Sequence, residues 1–273
     1  MKKRISTLVL ALMFTIVGIA GCVSPTLNSS KTKAKVYAEH GGNLISYYTE
    51  NVYYSDKDQD IYIINPKLPS YGPSYTCGVV AGTNIVAWYN KQYSSLIPGH
   101  TAGQFGPPPF FQNTWGWTST NSYINQLAQD LSDTMQETVE GVTIQDYTDG
   151  LDSYVSSKGQ TFTSTSLMDN GTLDYEAVKT ALESGQLLSV FVDGYTFALV
   201  SPKTGFDIIG NEEYAGLHVM AVYGYMEIEY YDGPNKIRHE KLLQVHTGFS
   251  GIHSMLRLNS WVTLHEVLIT HIS

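Results

Sequence analysis

The sequence predicts an α+β protein in which helices and a sheet occupy different parts of the chain. Segments with apolar residues every three or four positions lie between Cys77 and Ser184, and this spacing is typical of helices. After Gln186 the chain changes to alternating or continuous apolar runs, as in strands. Of the 273 residues, 42% are hydrophobic, which is enough for the core of one large domain or two small lobes.

The N-terminus is typical of an exported protein. Basic residues at positions 2–4 precede an apolar run over 5–19, which is short for a membrane span of about 20 residues and is typical of a signal peptide. Positions 19–22 are Ile-Ala-Gly-Cys and resemble the lipobox of bacterial lipoproteins. This resemblance implies that 1–21 is removed and that Cys22 carries a lipid. A plain secretory signal cut near the same place is the alternative, and it also leaves the mature chain outside the cytoplasm.

The negative net charge of the chain limits the kinds of partner that it can bind. The formal charge is −9 and becomes −12 without residues 1–21, which carry three basic and no acidic residues. A surface this acidic opposes binding to a nucleic-acid backbone and to anionic lipid. We therefore expect no nucleic-acid partner and attachment to the membrane only through the lipid on Cys22. Residues 22–35 have no apolar period and are expected to form a flexible tether.

Residues 36–273 are expected to form a single domain, with its helical part over about 66–185 and its sheet part over about 186–273. Before the helices, Asp60–Ile64 is predicted as a short strand, and the Pro- and Gly-rich segments around 66–76 and 97–117 are predicted as loops. The predicted helices run from Cys77 to about Lys91, from Asn121 to Glu137, from Thr143 to Lys158 and from Asp174 to Ser184. Asn121 is the expected N-terminal cap of the second helix, and Gly185 is expected to end the last one.

The sheet part begins with a predicted strand over Leu187–Val192. A longer strand is predicted over His218–Tyr231. The following Asp-Gly-Pro-Asn at 232–235 is a turn signal, so Lys241–Val245 is expected to return as the hairpin partner of that strand.

Cys77 is the candidate nucleophile. If Cys22 carries a lipid, Cys77 is the only thiol of an exported protein, so it must be either buried or used. One interpretation is a buried structural cysteine that packs as a small apolar residue. The other follows from its place where a loop becomes a helix, because a helix N-terminus stabilises the thiolate that attacks carbonyl carbon.

His218 is the candidate general acid/base, since a neighbouring imidazole can exchange a proton with the thiol and with a leaving amine. Positions 75–84 are Tyr-Thr-Cys-Gly-Val-Val-Ala-Gly-Thr-Asn, and positions 216–225 are Gly-Leu-His-Val-Met-Ala-Val-Tyr-Gly-Tyr. Together they resemble the papain-like cysteine peptidase superfamily, and most of all its bacterial branch with streptopain and the leader peptidases of bacteriocin exporters. The resemblance implies that Cys77 opens the central helix, that His218 opens a strand of the sheet, and that no cofactor is needed.

The third catalytic position departs from the family pattern. The family places Asn or Asp one hairpin after the catalytic His, and His246 stands there in this chain. His246 is therefore the predicted orienting residue for His218. Asp232 and Asn235 are alternatives on the intervening turn, and a simple polar residue at the end of a strand is the other interpretation of His246.

The residue at the expected oxyanion-donor position also differs from the family pattern. The family usually has Gln six residues before the Cys, and Tyr71 occupies that place. A tyrosine hydroxyl can donate to an oxyanion, so Tyr71 is the predicted donor, with Ser70 and Ser74 as alternatives. Packing within the loop is the other interpretation of Tyr71.

No metal site is expected, because the His residues lack ligand spacing and no Cys pair accompanies them. The sequence thus predicts an extracytoplasmic cysteine peptidase that acts on peptides or proteins. Three alternatives remain: a cell-wall peptide or amide hydrolase with the same two residues, a binding lipoprotein with a decayed site, and a structural lipoprotein in which Cys77 is buried. The sequence makes no prediction about the oligomeric state.

Overall fold

The computed structural model describes residues 36–40, 43–53, 77–100, 122–138, 141–200, 208–232, 235–248, 253–259 and 262–273. In these ranges the chain combines helices with an antiparallel sheet, so the predicted α+β class is confirmed. The helices are α1 Cys77–Tyr89, α2 Ser122–Thr134, α3 Ile144–Ser157 and α4 Tyr175–Glu183. The strands are β1 Val36–His40, β2 Asn43–Tyr53, β3 Phe162–Ser166, β4 Met168–Asp169, β5 Thr172–Leu173, β6 Leu187–Val200, β7 Ile208–Asp232, β8 Asn235–His246, β9 His253–Arg257 and β10 Thr263–Ile272. None of the described helices has both the length and the apolarity needed to cross a membrane.

The helix that begins at Cys77 is the centre of the helical layer. It ends at Tyr89, close to the predicted end, but it is buried on all sides rather than on one face. Small residues allow this close packing: a Cβ at Gly78 would lie 3.3 Å from Cβ of Val142, and one at Gly82 would lie 2.8 Å from Cε of Met135. Because α1 is enclosed, its N-terminal turn is held firmly against its neighbours.

The other predicted helices are confirmed within a few residues of their predicted ends. Thr143 caps α3 by accepting the Asp146 backbone N–H at 3.1 Å, and Asp174 caps α4 by accepting the Ala177 N–H at 3.0 Å. Gly185 follows α4 with φ of 91°, the left-handed conformation that ends helices and favours glycine. Asn121 lies outside the described residues.

The main sheet has the strand order β1-β2-β7-β8-β9-β6-β10-β3, and β7 also pairs with β6. The four strands β6, β7, β8 and β9 therefore close into a ring. The predicted hairpin of the chain around position 233 is confirmed, since β8 pairs with β7. The sheet also takes in β1, β2 and β3, which lie outside the predicted 186–273 range. These segments, VYAEH, NLISYYTENVY and FTSTS, show no clean apolar alternation, so the sequence did not predict them as strands.

The strand that carries His218 is longer than predicted. It begins at Ile208, so His218 lies inside β7 and does not open it. The first part of β7 extends the hairpin with β6, where positions 211–217 are exposed, whereas positions 218–228 are buried. A register shift between Asp193 and Tyr195 separates the two parts. The apolar run in the sequence begins where the strand becomes buried, at His218. The pairing of β7 with β6 begins earlier, at Ile208.

Successive residues of β7 contact two different cores, because side chains alternate across a strand. Val219, Ala221 and Tyr223 pack with α1, α2 and α3. Met220 and Val222 pack with α4 and with side chains of the ring strands. Position 218 therefore lies at the junction between the helical layer and the closed ring of strands.

Candidate functional site

Cys77 is partly buried at the first turn of α1. The backbone N–H groups of Cys77, Gly78 and Val219 favour the thiolate and act to lower the pKa of the thiol. Loss of hydration on burial outweighs them, and the charge of Glu137 acts in the same direction as burial, so the pKa of the thiol is raised. The described surroundings therefore hold Cys77 as a neutral thiol.

Tyr147 lies on α3 and connects this helix with the start of α1 and with strand β6 of the sheet. It is 1% exposed, its ring carbon Cδ2 would lie 3.7 Å from a Cβ at Gly78, and its hydroxyl is 2.7 Å from Oγ of Ser189 on β6. Its ring also meets that of Phe191 edge to face, with centroids 5.2 Å apart. These contacts fix the start of α1 relative to the sheet.

His218 is 7% exposed, and its ring contacts Thr247 and Tyr195. Nε2 lies 2.7 Å from the carbonyl oxygen of Thr247. The ring stacks on that of Tyr195, with centroids 5.3 Å apart and planes at 18°. Burial lowers the pKa of His218 to about 4, although the hydrogen bond to Thr247 acts in the opposite direction. His218 is therefore neutral at physiological pH.

The structure brings the elements of the two main predicted residues together. The backbone N–H of Val219, the residue after His218, lies close enough to the sulfur of Cys77 to lower the pKa of the thiol. Tyr195 connects them a second time, because it stacks on His218 and its own pKa is raised partly by the charge of Cys77. Cys77 and His218 thus lie on neighbouring elements, α1 and β7.

His246 is placed close by, but its ring has other partners than a simple orienting role predicts. It is 1% exposed, and its Nδ1 lies 3.3 Å from Nδ2 of Asn84 and 3.4 Å from the backbone N of Gly248. Nε2 of His218 donates its hydrogen bond to the carbonyl oxygen of the next residue, Thr247. Every residue type has the same backbone carbonyl, so sequence patterns cannot reveal this role.

Asn84 is the residue of this neighbourhood that the sequence analysis did not single out for function. It lies two helical turns after Cys77 and is 0% exposed. A signal was present, because Asn84 is a polar residue among the apolar positions that share the predicted helix face. Tyr195, which lies on β6 and contacts His218, was also missed, since one tyrosine among 20 carries no distinguishing pattern.

Glu137 is a second buried ionisable group near the thiol. It is 8% exposed, and its Oε2 accepts a hydrogen bond from Oγ of Ser132 at 2.7 Å. Among the described residues its Oε1 is buried without a hydrogen-bond partner. Burial raises the pKa of this carboxyl, and the hydrogen bond from Ser132 offsets the increase only in part.

Two predicted residues lie outside the described residues: Cys22, the predicted lipid attachment site, and Tyr71, the predicted oxyanion donor. The predicted tether over 22–35 and the strand over Asp60–Ile64 lie outside them as well. Within the described ranges, no group of three or more His, Cys, Asp or Glu side chains is arranged to hold a metal ion.

Comparison with models of protein families, with characterised proteins and with solved structures finds no match to this chain. Its function must therefore be argued from its own geometry.

Proposed function

We propose that this chain is an extracytoplasmic, papain-like cysteine peptidase with Cys77 as nucleophile and His218 as general acid/base. One observation supports the proposal above all others. The sulfur of Cys77 lies at the start of a buried helix, and the backbone N–H of Val219, the residue that follows His218, is close enough to this sulfur to lower the pKa of the thiol. A thiol and an imidazole on adjacent elements are the two groups that thioester chemistry needs.

The hydrogen bond to Thr247 defines which nitrogen of His218 can act as the base. A carbonyl oxygen only accepts, so Nε2 must carry the hydrogen that it donates to Thr247. In the neutral ring the lone pair then lies on Nδ1. The proposed base is therefore Nδ1 of His218, with Nε2 anchored.

The proposed reaction has two halves. The thiol proton moves to Nδ1 of His218 as the Cys77 sulfur forms a bond to the substrate carbonyl carbon, and the carbonyl oxygen gains the negative charge. The carbon–nitrogen bond then breaks, and the leaving amine takes the proton from His218, which leaves a thioester on Cys77. In the second half His218 removes a proton from water, the resulting hydroxide replaces the sulfur, and the proton returns to the thiolate.

Backbone donors at the start of α1 support stabilisation of the oxyanion. The N–H groups of Cys77 and Gly78 lie close enough to the sulfur to lower its pKa, and N–H groups at a helix N-terminus also stabilise a neighbouring negative oxygen. Tyr71 remains the proposed side-chain donor beside them.

Attachment to the membrane through a lipid on Cys22 is part of the same proposal. The sequence of positions 19–22 supports it, and the acidic charge supports a lipid rather than a basic surface as the means of attachment. The substrates would then be peptides or proteins outside the cytoplasm.

A non-catalytic role is the second candidate, and one observation favours it. Burial raises the pKa of Cys77, so the free protein holds an unreactive thiol, as a binding protein with a decayed site would. The experiment that separates the two candidates must therefore present an electrophile within a peptide that occupies the site, because a small alkylating agent alone reports only the thiolate fraction.

The test uses the Cys22→Ser variant of the full chain, in which Cys77 is the only thiol. We expect a peptidyl vinyl sulfone to label Cys77, as detected by intact-protein mass spectrometry and peptide mapping. His218→Gln keeps a donor for Thr247 but cannot accept a proton, so we expect it to reduce labelling by about 100-fold, the typical contribution of a general base. Circular dichroism of each variant shows that it is folded.

Absence of labelling in the folded Cys22→Ser protein, or equal labelling after His218→Gln, would overturn the peptidase proposal and favour the binding protein. If labelling is observed, release of peptides from casein supports a peptidase. Clearing of peptidoglycan gels without casein cleavage would instead support a cell-wall hydrolase.

A further inference from the structure

The turn after β8 is held on the same helix that carries Cys77. Gly248 has φ of 72°, and a Cβ added there would lie 3.4 Å from Cγ1 of Val80. Asn84 reaches the turn from one helical turn further along α1, through the 3.3 Å contact between its Nδ2 and Nδ1 of His246. The position of the Thr247 carbonyl therefore depends on contacts with α1.

The hydrogen bonds in this contact define the protonation of His246. Nδ2 of Asn84 donates to the Val80 carbonyl at 2.9 Å, and its second hydrogen is directed to the imidazole. The backbone N–H of Gly248 approaches the same Nδ1 at 3.4 Å. Because both neighbours are donors, Nδ1 of His246 must accept, and the hydrogen of the neutral ring is on Nε2.

Asn84 is costly to bury in this place. It is 0% exposed, and among the described residues its Oδ1 has no hydrogen-bond partner. An unsatisfied buried polar atom destabilises the fold, a cost that an apolar side chain would avoid. The two hydrogen bonds that Nδ2 donates are what the structure gains from an amide at this position.

We propose that Asn84 and His246 are positioning residues for His218. Asn84 and the Gly248 N–H hold the ring of His246, this ring holds the turn, and the Thr247 carbonyl in the turn fixes His218 with its hydrogen on Nε2. The nucleophile and Asn84, which supports the anchor of the base, thereby lie on one helix, so α1 sets the relative position of the thiol and the imidazole. This inference rests on the proposed function for its effect on rate, but its structural content is independent of catalysis.

The first readout is the tautomer of His218, measured on the full chain with the Cys22→Ser substitution and ¹⁵N-labelled histidine. Long-range ¹⁵N–¹H correlation spectra distinguish a ring protonated on Nε2 from one protonated on Nδ1. In the unsubstituted site we expect the Nε2–H form alone for His218 and for His246.

Two substitutions at His246 are compared. His246→Leu is similar in size and removes the acceptor, and we expect a mixture of tautomers at His218. His246→Asn retains an acceptor atom close to the position of Nδ1, and we expect it to restore the single Nε2–H form. An unchanged His218 tautomer in folded His246→Leu would overturn the proposal.

Asn84→Leu provides the second test, so that the outcome does not depend on whether His246→Leu folds. Its matched control is Thr83→Val, which changes an equally buried residue of α1 whose hydroxyl donates within the helix to the Val79 carbonyl at 2.7 Å. We expect a mixture of tautomers after Asn84→Leu and the single form after Thr83→Val. The same response to both substitutions would mean a general disturbance of α1 and would overturn the specific role of Asn84.

The second readout is the rate of labelling by the peptidyl vinyl sulfone. We expect His246→Leu to lower the maximal labelling rate about 10-fold, as a misoriented base does, with little change in the concentration for half-maximal rate. If the unsubstituted site is not labelled at all, the peptidase proposal fails, whereas the tautomer measurement still decides the role of Asn84 and His246.

Discussion

The imidazole of His218 donates from Nε2 to the backbone carbonyl oxygen of Thr247, and the two atoms are 2.7 Å apart. A side-chain amide or carboxylate can rotate away from an imidazole, but a carbonyl in a turn that is packed on α1 cannot. The carbonyl is also uncharged, so it orients the ring without strongly stabilising its protonated form. This agrees with a His218 pKa that burial lowers to about 4.

The pH dependence of labelling should follow this pKa. Below a pH of about 4 His218 is protonated and cannot accept the thiol proton, so we expect the rate of labelling by the peptidyl vinyl sulfone to fall as the pH falls through that value. The rate is measured from pH 3 to 8, roughly spanning the ordinary histidine pKa of about 6.5, and circular dichroism at each pH confirms that the protein is folded. A midpoint near the ordinary value would contradict a buried His218.

Tyr195 contributes to this low pKa because its ring covers one face of His218. Tyr195→Leu should admit water to the imidazole and raise the pKa of His218 from about 4 toward the ordinary value of about 6.5. The acid limb of the labelling rate should move to higher pH by the same amount. The pKa itself is measured by NMR titration of His218.

The control for this substitution is Tyr214→Leu. Tyr214 also stacks on Tyr195, with ring centroids 5.4 Å apart, but it is 37% exposed. Its removal should change the pKa of His218 far less than Tyr195→Leu does. Equal shifts in the two variants would argue against direct coverage of the imidazole by Tyr195.

Glu137 should act on the thiol through its charge. The carboxylate raises the pKa of Cys77, so Glu137→Gln should lower that pKa and increase the alkylation rate at a given pH. The glutamine oxygen can still accept the hydrogen bond from Ser132. The measurement is the pH profile of iodoacetamide alkylation in the Cys22→Ser protein.

Glu176→Gln on α4 is the matched control for charge alone, since the side chain of Glu176 is 73% exposed and water screens its charge. We expect its profile to equal that of the parent protein. If Glu137→Gln leaves the profile unchanged, or if Glu176→Gln shifts it equally, the local effect of Glu137 on Cys77 is refuted.

The sequence predicted the parts of the fold that depend on local patterns. The sequence marks the start of the helix at Cys77 by a preceding Pro- and Gly-rich segment, and α3 and α4 begin at side-chain caps, Thr143 and Asp174. Such features depend on residues that lie close together in the sequence, so local patterns reveal them. The longer extent of β7 depends on its pairing with β6, which no local pattern specifies.

The candidate site contains groups that local sequence patterns reveal and groups that they do not. Cys77 and His218 are chemical groups at recognisable positions, and the structure joins their elements through Val219. The partner of His218 could not be predicted, because any residue at position 247 would supply the same carbonyl oxygen. The link from Asn84 to His246 spans 162 positions, and only the fold brings these residues into contact.

Packing between α3 and the end of α2 gives a prediction for stability. A Cβ at Gly150 would lie 2.7 Å from the backbone N of Met135, so one of the two segments would have to move. We therefore expect Gly150→Ala to lower the free energy of unfolding by about 1–3 kcal/mol, as is typical of overpacking. Urea unfolding followed by circular dichroism measures this change.

Gly82→Ala is the matched comparison, because the same methionine limits the space at both positions. At Gly82 the nearest atom is the terminal Cε of Met135, at 2.8 Å, and a flexible methionine end can rotate away. Both glycines lie in helices, where alanine has the higher helix propensity by about 1 kcal/mol. The propensity gain is therefore equal at the two positions, and only the backbone contact distinguishes them. Gly82→Ala should be clearly the more stable variant, and the opposite order would mean that α3 does not approach Met135 as closely as described.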